Sequence, residues 1–481
     1  MAAPFKILVI DDDPTGSQTV HSCPLLLRWD PATLAAGLEH PSPLLFVLAN
    51  TRALAPQAAA ERVRQICRAL AAALPAAGIE RWWLVSRGDS TLRGHFPLEV
   101  DVIAAELGPF AATLLIPAFL DGGRTTVDGV HLLHGQPVHE TPFGRDGLFS
   151  YGTSHLPTWV EEKSGGRIPA QQVQRLDGAE LDRAAAAGGQ ALAARLAAWQ
   201  NQPVVAVDAE RPEQLAALAA VVRASSRPVL AQSAASWIQA LATLPPQPRD
   251  AAGLARLRRM GPGGERLPGL VLVGSHVPLA DAQLEQLLGE PGCVGLELPV
   301  ARLARVLEGP LPEPLLASLE HDWLVQLRAL VAQGCTPVLF TSRGELRCGS
   351  AAERRRLGDG LAALMARLAA ALAPQLGYLI SKGGITTHTL LADGLGLAAV
   401  ELQGQLLPGL SLVLTPPEAA VPQLPVLTFP GNLGAAGTLR QAWRCMEGLD
   451  PLAPPDGGSQ ADPSQTDPSA GARRSSSSEP A

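Results

Sequence analysis

Ser86-Arg-Gly-Asp-Ser-Thr-Leu-Arg-Gly-His95 follows the apolar run Trp82-Trp83-Leu84-Val85 and precedes a helical pattern from about Phe96 to Leu107. Strand, polar loop and helix form the repeating unit of an open α/β sheet. Such sheets bind ligands at the carboxyl ends of their strands. The loop packs two arginines, one acid, three hydroxyls and two glycines into ten residues. That chemistry suits a small, anionic, polyhydroxylated ligand. Arg87 and Arg93 can hold a carboxylate or phosphate. Ser90 and Thr91 can meet hydroxyls, and Asp89 can accept a proton. The alternative is a solvated loop, which seldom gathers so many convergent groups beside a buried strand.

The same unit recurs on either side. Phe5-Lys-Ile-Leu-Val-Ile10 reads as a buried strand, ending in the turn Asp11-Asp-Asp-Pro-Thr-Gly16. Three consecutive carboxylates repel one another unless a cation or hydroxyls compensate. Leu44–Leu48 is a second strand, ending in Ala49-Asn-Thr-Arg52, and Ala58 to Leu74 reads as a helix. Thr113–Ile116 leads into a Gly-rich loop carrying Arg124, Thr125, Thr126 and Asp128. Strands alternating with helices predict a parallel, doubly wound sheet, with these four polar strand ends on one rim. Val204–Asp208 and Pro228–Ala231 read as further strands of that sheet. Residues 132–170 are irregular and read as a lid or crevice wall. His131, His134 and His139 lie there without an acid or Cys at fixed spacing, so a metal site is the lesser reading.

The Pro-, Gly- and Arg-rich residues 246–268 read as a linker between a domain over 1–245 and a second α/β domain over 269–447. Two strand-to-helix turns in the second domain are rich in small residues: Ser381-Lys-Gly-Gly-Ile-Thr-Thr387 and Pro430-Gly-Asn-Leu-Gly434. Glycine lets the backbone approach a ligand closely, and helix N-termini offer free N–H donors to a phosphate. Gly274-Ser275 and Thr341-Ser342-Arg343 end two more strands on the same rim. Tight αβ turns also use glycine for geometry alone. No P-loop and no clean GxGxxG occurs. The residues from 448 to 481 are rich in Pro, Gly, Ser and Asp and read as a disordered tail.

The totals exclude several classes. The 481 residues are 47% hydrophobic and 17% charged, enough for two globular domains. A net charge of -7 argues against non-specific nucleic-acid binding. The six cysteines are scattered with no CxxC pair, which disfavours a zinc site or a disulfide framework. No signal peptide is expected, and no apolar run suggests a membrane span, so the expected location is cytoplasmic.

Taken together, these residues resemble the four-carbon acid sugar kinase family, the ATP-dependent kinases of threonate, erythronate and 3-oxo-tetronates. The resemblance runs from about residue 5 to 445. Its motifs are Asp12-Asp13-Pro14-Thr15-Gly16, Asn50-Thr51-Arg52, Asp89–Gly94, Pro117-Ala-Phe119 with Gly123–Gly129, Gly274-Ser275, Gly383-Gly384 and Gly431-Asn432. It implies two α/β domains, each on a mainly parallel sheet with flanking helices, with the active site in the cleft between them. It implies a sugar-acid substrate bound by Asp12, Arg52, Asp89, Ser90, Thr91 and Leu92, and Arg93 and Arg124 join them from the loop chemistry. ATP would contact Ser275, Gly383, Gly384, Ile385, Thr386, Gly431 and Asn432, with Lys382 neutralising phosphate charge and Mg²⁺ bridging the phosphates. Asp89, or else Asp12, would accept the proton of the attacking hydroxyl. Ile385 departs from the Glu that many members carry, so substrate identity does not transfer. Homo-oligomerisation is left open. Two rival readings stand beside this one. Asp11-Asp-Asp-Pro-Thr15 fits the nucleophile signature of a haloacid-dehalogenase-type phosphatase, with Asp11 attacking phosphorus. A non-catalytic sugar-acid or nucleotide sensor is the other.

Overall fold

The computed structural model describes residues 5–275, 277–308, 312–344 and 349–453. Most of the expected tail therefore lies outside the described residues. Eight strands of the first half are β1 (Phe5–Asp11), β2 (Cys23–Leu26), β3 (Leu44–Leu48), β4 (Arg81–Arg87), β5 (Thr113–Ile116), β6 (Gln174–Leu176), β7 (Val204–Val207) and β8 (Leu230–Ser233). All seven pairings among them are parallel. Parallel strands are covered by helices on both faces and so read as continuous apolar runs. Ile7, Leu8 and Val9 of β1 and Leu44, Leu45 and Phe46 of β3 are fully buried accordingly.

The second half contributes β9 (Gly269–Val273), β10 (Cys293–Leu298), β11 (Thr336–Thr341), β12 (Tyr378–Lys382), β13 (Ala399–Leu407), β14 (Leu410–Leu414) and β15 (Pro425–Phe429). Strands β10, β11, β9, β12 and β15 pair in parallel, in that order. The last strands differ: β13, β14 and β15 pair antiparallel, with Gly409 at φ +79° in the tight turn between β13 and β14.

The two parallel blocks form one sheet. The short strand β2, which has no clear signal in the sequence, pairs in parallel with β3 and antiparallel with β13. The result is a 15-stranded sheet in the order β10-β11-β9-β12-β15-β14-β13-β2-β3-β1-β4-β8-β5-β7-β6. Strand twist of roughly 20–25° per step accumulates between β1 and β12 and reorients one block against the other. Residues from the carboxyl rims of both blocks then line one cavity.

Residues 124–137 form a small three-stranded antiparallel sheet, and the helix Leu156–Lys163 follows it. Tyr151 and Trp159 are buried, and none of residues 132–170 lines the cavity, which Arg124 at the start of the small sheet does. Residues 246–268 contain the helix Ala251–Ala255, and Gln247 pins the edge of β13 by accepting from Gln405 N–H and donating to its carbonyl. One helix, Glu353–Gln375, is long and apolar enough to cross a membrane. Its Leu364, Met365, Leu368 and Leu372 are buried in the hydrophobic core beside Leu379 of β12.

Candidate active site

At the end of β1 the three aspartates part company. Asp11 is fully buried, and burial pushes its carboxyl up to about 8 against the pull of Arg87. The Thr15-Gly16 turn folds back over it: a Cβ on Gly16 would collide with the Asp11 carboxylate. Asp12 takes a two-pronged ion pair from Arg52, whose Nε and Nη2 lie 3.0 and 2.5 Å from its oxygens. Arg87 Nη1 adds a contact at 3.4 Å. Asp13 accepts from the backbone N–H of Thr15 at 2.8 Å and from its hydroxyl. Burial opposes ionisation of Asp13, but Arg52 at 3.5 Å and the Thr15 hydrogen bonds prevail and hold its carboxyl below the usual range. Its Oδ2 faces the other half of the molecule, 2.6 Å from where a Cβ on Gly384 would stand.

The Asp89–His95 loop is held from several sides. Asp89 accepts from Arg93 Nε at 2.7 Å and from the Thr91 hydroxyl, and Arg52 lies 3.7 Å away. Burial alone would raise the Asp89 carboxyl, but Arg93 and Arg52 outweigh it and hold it far below the usual carboxylate range. Leu92 sits at φ +64°, a conformation L-residues rarely adopt, and its side chain is buried in the core. Only its backbone can therefore meet a ligand. Two buried side chains from the segment after the small sheet's first strand secure the loop. His131 Nε2 lies 2.8 Å from the carbonyl of Ser90, and the Tyr151 hydroxyl donates to that of Thr91 at 2.5 Å. Burial holds His131 down at about 4, so at neutral pH its ring is neutral, with Nε2–H the donor.

Arg124 differs from the other arginines of this rim. It is 7% exposed and donates to the Gly122 carbonyl at 2.5 Å, with its guanidinium over the Phe119 ring. Its buried Nε has no partner, and no carboxylate lies within ion-pairing distance among the described residues. Burial lowers its affinity for its proton.

On the second rim, Gly383 at φ +116° turns the chain from β12 into the short helix Gly384–Thr389. The Thr386 hydroxyl packs against Gly274, where a Cβ would exclude it. Arg343 donates to the Ser275 carbonyl at 2.7 Å and to Asp281, fixing the Ser275 loop. Lys382 is fully buried beneath the Pro430-Gly431 turn. Ile385 is 48% exposed, and its side chain lies outside the cavity.

A cavity of about 220 Å³ joins the two rims. From the first half it is lined by Asp13, Arg52, Asp89, Ser90, Thr91, Arg93 and Arg124. From the second it is lined by Ser275, Gly384, Gly431 and Asn432. Asp12, Leu92, Lys382, Gly383, Ile385 and Thr386 support the cavity or border it rather than line it. Asp11 does not reach it either, which removes the nucleophile that the phosphatase reading requires. The expected set omits Asp13 and Gln18. Gln18 lines the cavity and accepts from Arg87 Nη2 at 3.0 Å. Glu99 was also missed; it accepts from the Thr51 hydroxyl behind Arg52, and burial and the nearby Asp12 push its carboxyl up. An acid in the apolar run Leu98-Glu-Val-Asp-Val102 was its one signal.

Two family models cover most of the chain. Residues 7–241 match the sugar-binding N-terminal domain and residues 270–439 the nucleotide-binding C-terminal domain. The chain belongs to the four-carbon acid sugar kinase family. A D-erythronate kinase of Heliobacterium modesticaldum is 25% identical over 448 residues, 89% of this chain and 94% of the relative. A D-threonate kinase of Cupriavidus necator is 28% identical over 420 residues, 82% and 86% of the two chains. A solved Salmonella typhimurium structure superposes with a TM-score of 0.62 at 18% identity, covering 91% of this chain and 98% of that one. A Haemophilus influenzae structure gives 0.56 at 17% identity, with coverage of 92% and 99%. At these identities both structures speak to fold alone. The family's two-part architecture agrees with a site assembled from both halves. Among the described residues no three metal-ligating side chains cluster, those at 131, 134 and 139 included.

Proposed function

We propose that this chain is an ATP-dependent kinase that phosphorylates a hydroxyl of a four-carbon sugar acid. The observation that carries the reading is a polar cavity in which Asp13, Asp89 and Arg124 of one half meet Ser275, Gly384 and Gly431 of the other. Its lining of arginines, aspartates and hydroxyls suits a small, anionic, hydroxylated acid. The two domains matched by family models, over residues 7–241 and 270–439, supply the acid and nucleotide sides respectively. The relatives named D-erythronate and D-threonate kinase support the substrate class.

Phosphoryl transfer asks a protein for positioning and charge neutralisation more than covalent chemistry. On this reading Arg124, a buried cation lacking a carboxylate, takes the carboxylate of the sugar acid. Ser90, Thr91 and Asp89 take its hydroxyls, with Asp89 kept ionised by Arg93 and Arg52. Asp13 replaces Asp89 as the group that orients the attacking hydroxyl. Both are ionised at neutral pH, and each has one oxygen engaged by its own loop and the other near Arg52, but only Asp13 Oδ2 also faces the nucleotide turn at Gly384. Asp12 is locked by Arg52 and serves to hold that guanidinium in place. Magnesium bound with ATP would supply neutralisation of the phosphate charge, held mainly by the phosphates and waters.

The test is ADP release by purified protein with Mg-ATP against D- and L-threonate, D- and L-erythronate and the 3-oxo-tetronates. Strong stimulation by one acid is expected. ATP binding with no stimulation by any of them would overturn the substrate class. It would favour the sensor reading.

A further inference from the structure

Lys382 is a buried cation that no part of the reaction described above uses. It is fully buried at the end of β12, yet no carboxylate lies within ion-pairing distance among the described residues. Its Nζ instead donates to two consecutive carbonyls, Pro430 O at 3.1 Å and Gly431 O at 3.2 Å. The ammonium also stands 4.1 Å from the centre of the Phe429 ring. All three partners lie at the end of β15, the strand beside β12, or in the turn that leaves it.

The consequence follows from peptide geometry. The cis peptides in the chain are Phe96–Pro97 and Gly108–Pro109, so those on either side of Gly431 are trans. In a trans peptide the C=O and the N–H of the same unit point in opposite directions. Holding the Pro430 and Gly431 carbonyls toward Lys382 therefore turns the N–H groups of Gly431 and Asn432 away from it. Neither N–H donates to any acceptor among the described residues. Gly431 and Asn432 both line the cavity. Successive N–H groups presented to a cavity in this way make an anion-binding concavity. Gly431 is also the residue that fits against Ser275, since a Cβ there would stand 3.0 Å from the Ser275 hydroxyl oxygen.

We propose that Lys382 is a positioning residue: by clamping two carbonyls it builds a two-N–H nest at Gly431–Asn432 for a phosphate of the nucleotide. This rests on the kinase reading but assigns Lys382 a different part from direct charge neutralisation. A group sealed beneath the turn and absent from the cavity wall cannot touch the phosphates. The donors it supplies matter more than its charge. Burial, which lowers its proton affinity to about 7, agrees with that, because a neutral amine keeps N–H groups to donate.

Two variants of the full chain separate donor from charge. Lys382→Met removes both, and Lys382→Gln keeps a neutral N–H donor. ATP and adenosine binding are measured by calorimetry, and KM for the preferred acid by ADP release. Expected are at least a tenfold loss of ATP affinity in Lys382→Met and a loss under threefold in Lys382→Gln. Adenosine affinity and the KM for the acid should be unchanged in both. Lys382→Met binding ATP like the wild type would overturn the clamp. Lys382→Gln falling as far as Lys382→Met would overturn the claim that a neutral donor at this position suffices. If Lys382→Met fails to fold, Asn432→Pro, which deletes one N–H of the nest and leaves Lys382 in place, should lose ATP affinity at least tenfold with adenosine affinity unchanged, and wild-type ATP binding by it would overturn the nest. A wild-type protein that binds no ATP would overturn the kinase reading itself, a result distinct from either of these.

Discussion

Replacing Arg124 by methionine should separate function from stability. In the free protein Arg124 is buried against Phe119, with an orphaned Nε and no carboxylate partner. An unsatisfied buried polar group costs about 1–3 kcal/mol, and methionine removes it while retaining most of the contact with the ring. The loss of the hydrogen bond to Gly122 O offsets part of that gain. The melting temperature of the free variant should therefore equal or exceed that of the wild type. With the sugar acid bound, the balance reverses. A charge-assisted hydrogen bond is worth about 1.5–3 kcal/mol, which corresponds to a rise in KM for the acid of roughly 10- to 150-fold. KM for ATP should stay within about threefold, since Arg124 lies on the acid side. Steady-state kinetics with varied acid or varied ATP, together with thermal unfolding with and without acid, measure all of this. A KM for the acid within threefold of wild type would refute the anchoring role. A free variant that melts well below wild type would refute the claim that the guanidinium waits uncompensated.

Three further outcomes follow from the same geometry. Asp13→Asn should lower kcat by about 100-fold or more with KM for ATP little changed, whereas Asp89→Asn should act mainly on KM for the acid; rapid-quench or steady-state kinetics compare them. Asp11 holds its proton more tightly folded, at about 8, than at its ordinary 3.8, so its contribution is favourable below the ordinary value and is lost as pH rises toward 8. Asp11→Asn should therefore gain stability over wild type progressively from about pH 4 to 8, by at least roughly 1 kcal/mol, and equal gains at pH 4 and 8 in urea unfolding would contradict this. Glu290→Gln should destabilise by about 3–5 kcal/mol, because Glu290 is buried between Arg440 and Arg444 and its loss leaves both guanidiniums without a carboxylate, each holding only a backbone carbonyl; a loss under 1 kcal/mol in urea unfolding would show the cluster to be dispensable.

The parallel core was legible because each strand is a short apolar run ending in a polar turn, as at Ile7–Ile10 and Leu44–Leu48. The joining of the two halves was not. Cys23–Leu26 is four residues with proline at its second position, and only its partners on β3 and β13 make it a strand. The placement of β8 between β4 and β5 is equally silent, since strand order is a property of packing. In the site, the loops announced themselves by charge and glycine, but the division of labour among the acids did not. Asp11, Asp12 and Asp13 are adjacent in sequence, and the fold sends one into the core, one to Arg52 and one to the cavity. Lys382 looked like a phosphate ligand because lysine in a glycine turn often is one. Its burial beneath Pro430 and Gly431 depends on the neighbouring strand β15, far away in the chain.

The most direct measurement is phosphorus NMR of a reaction containing the protein, Mg-ATP and the acid that best stimulates ADP release. A new phosphate-monoester resonance, appearing in step with ADP and absent with Asp13→Asn, is the result this account predicts. ADP accompanied only by inorganic phosphate would contradict it, because the cavity would then be activating water rather than a sugar-acid hydroxyl.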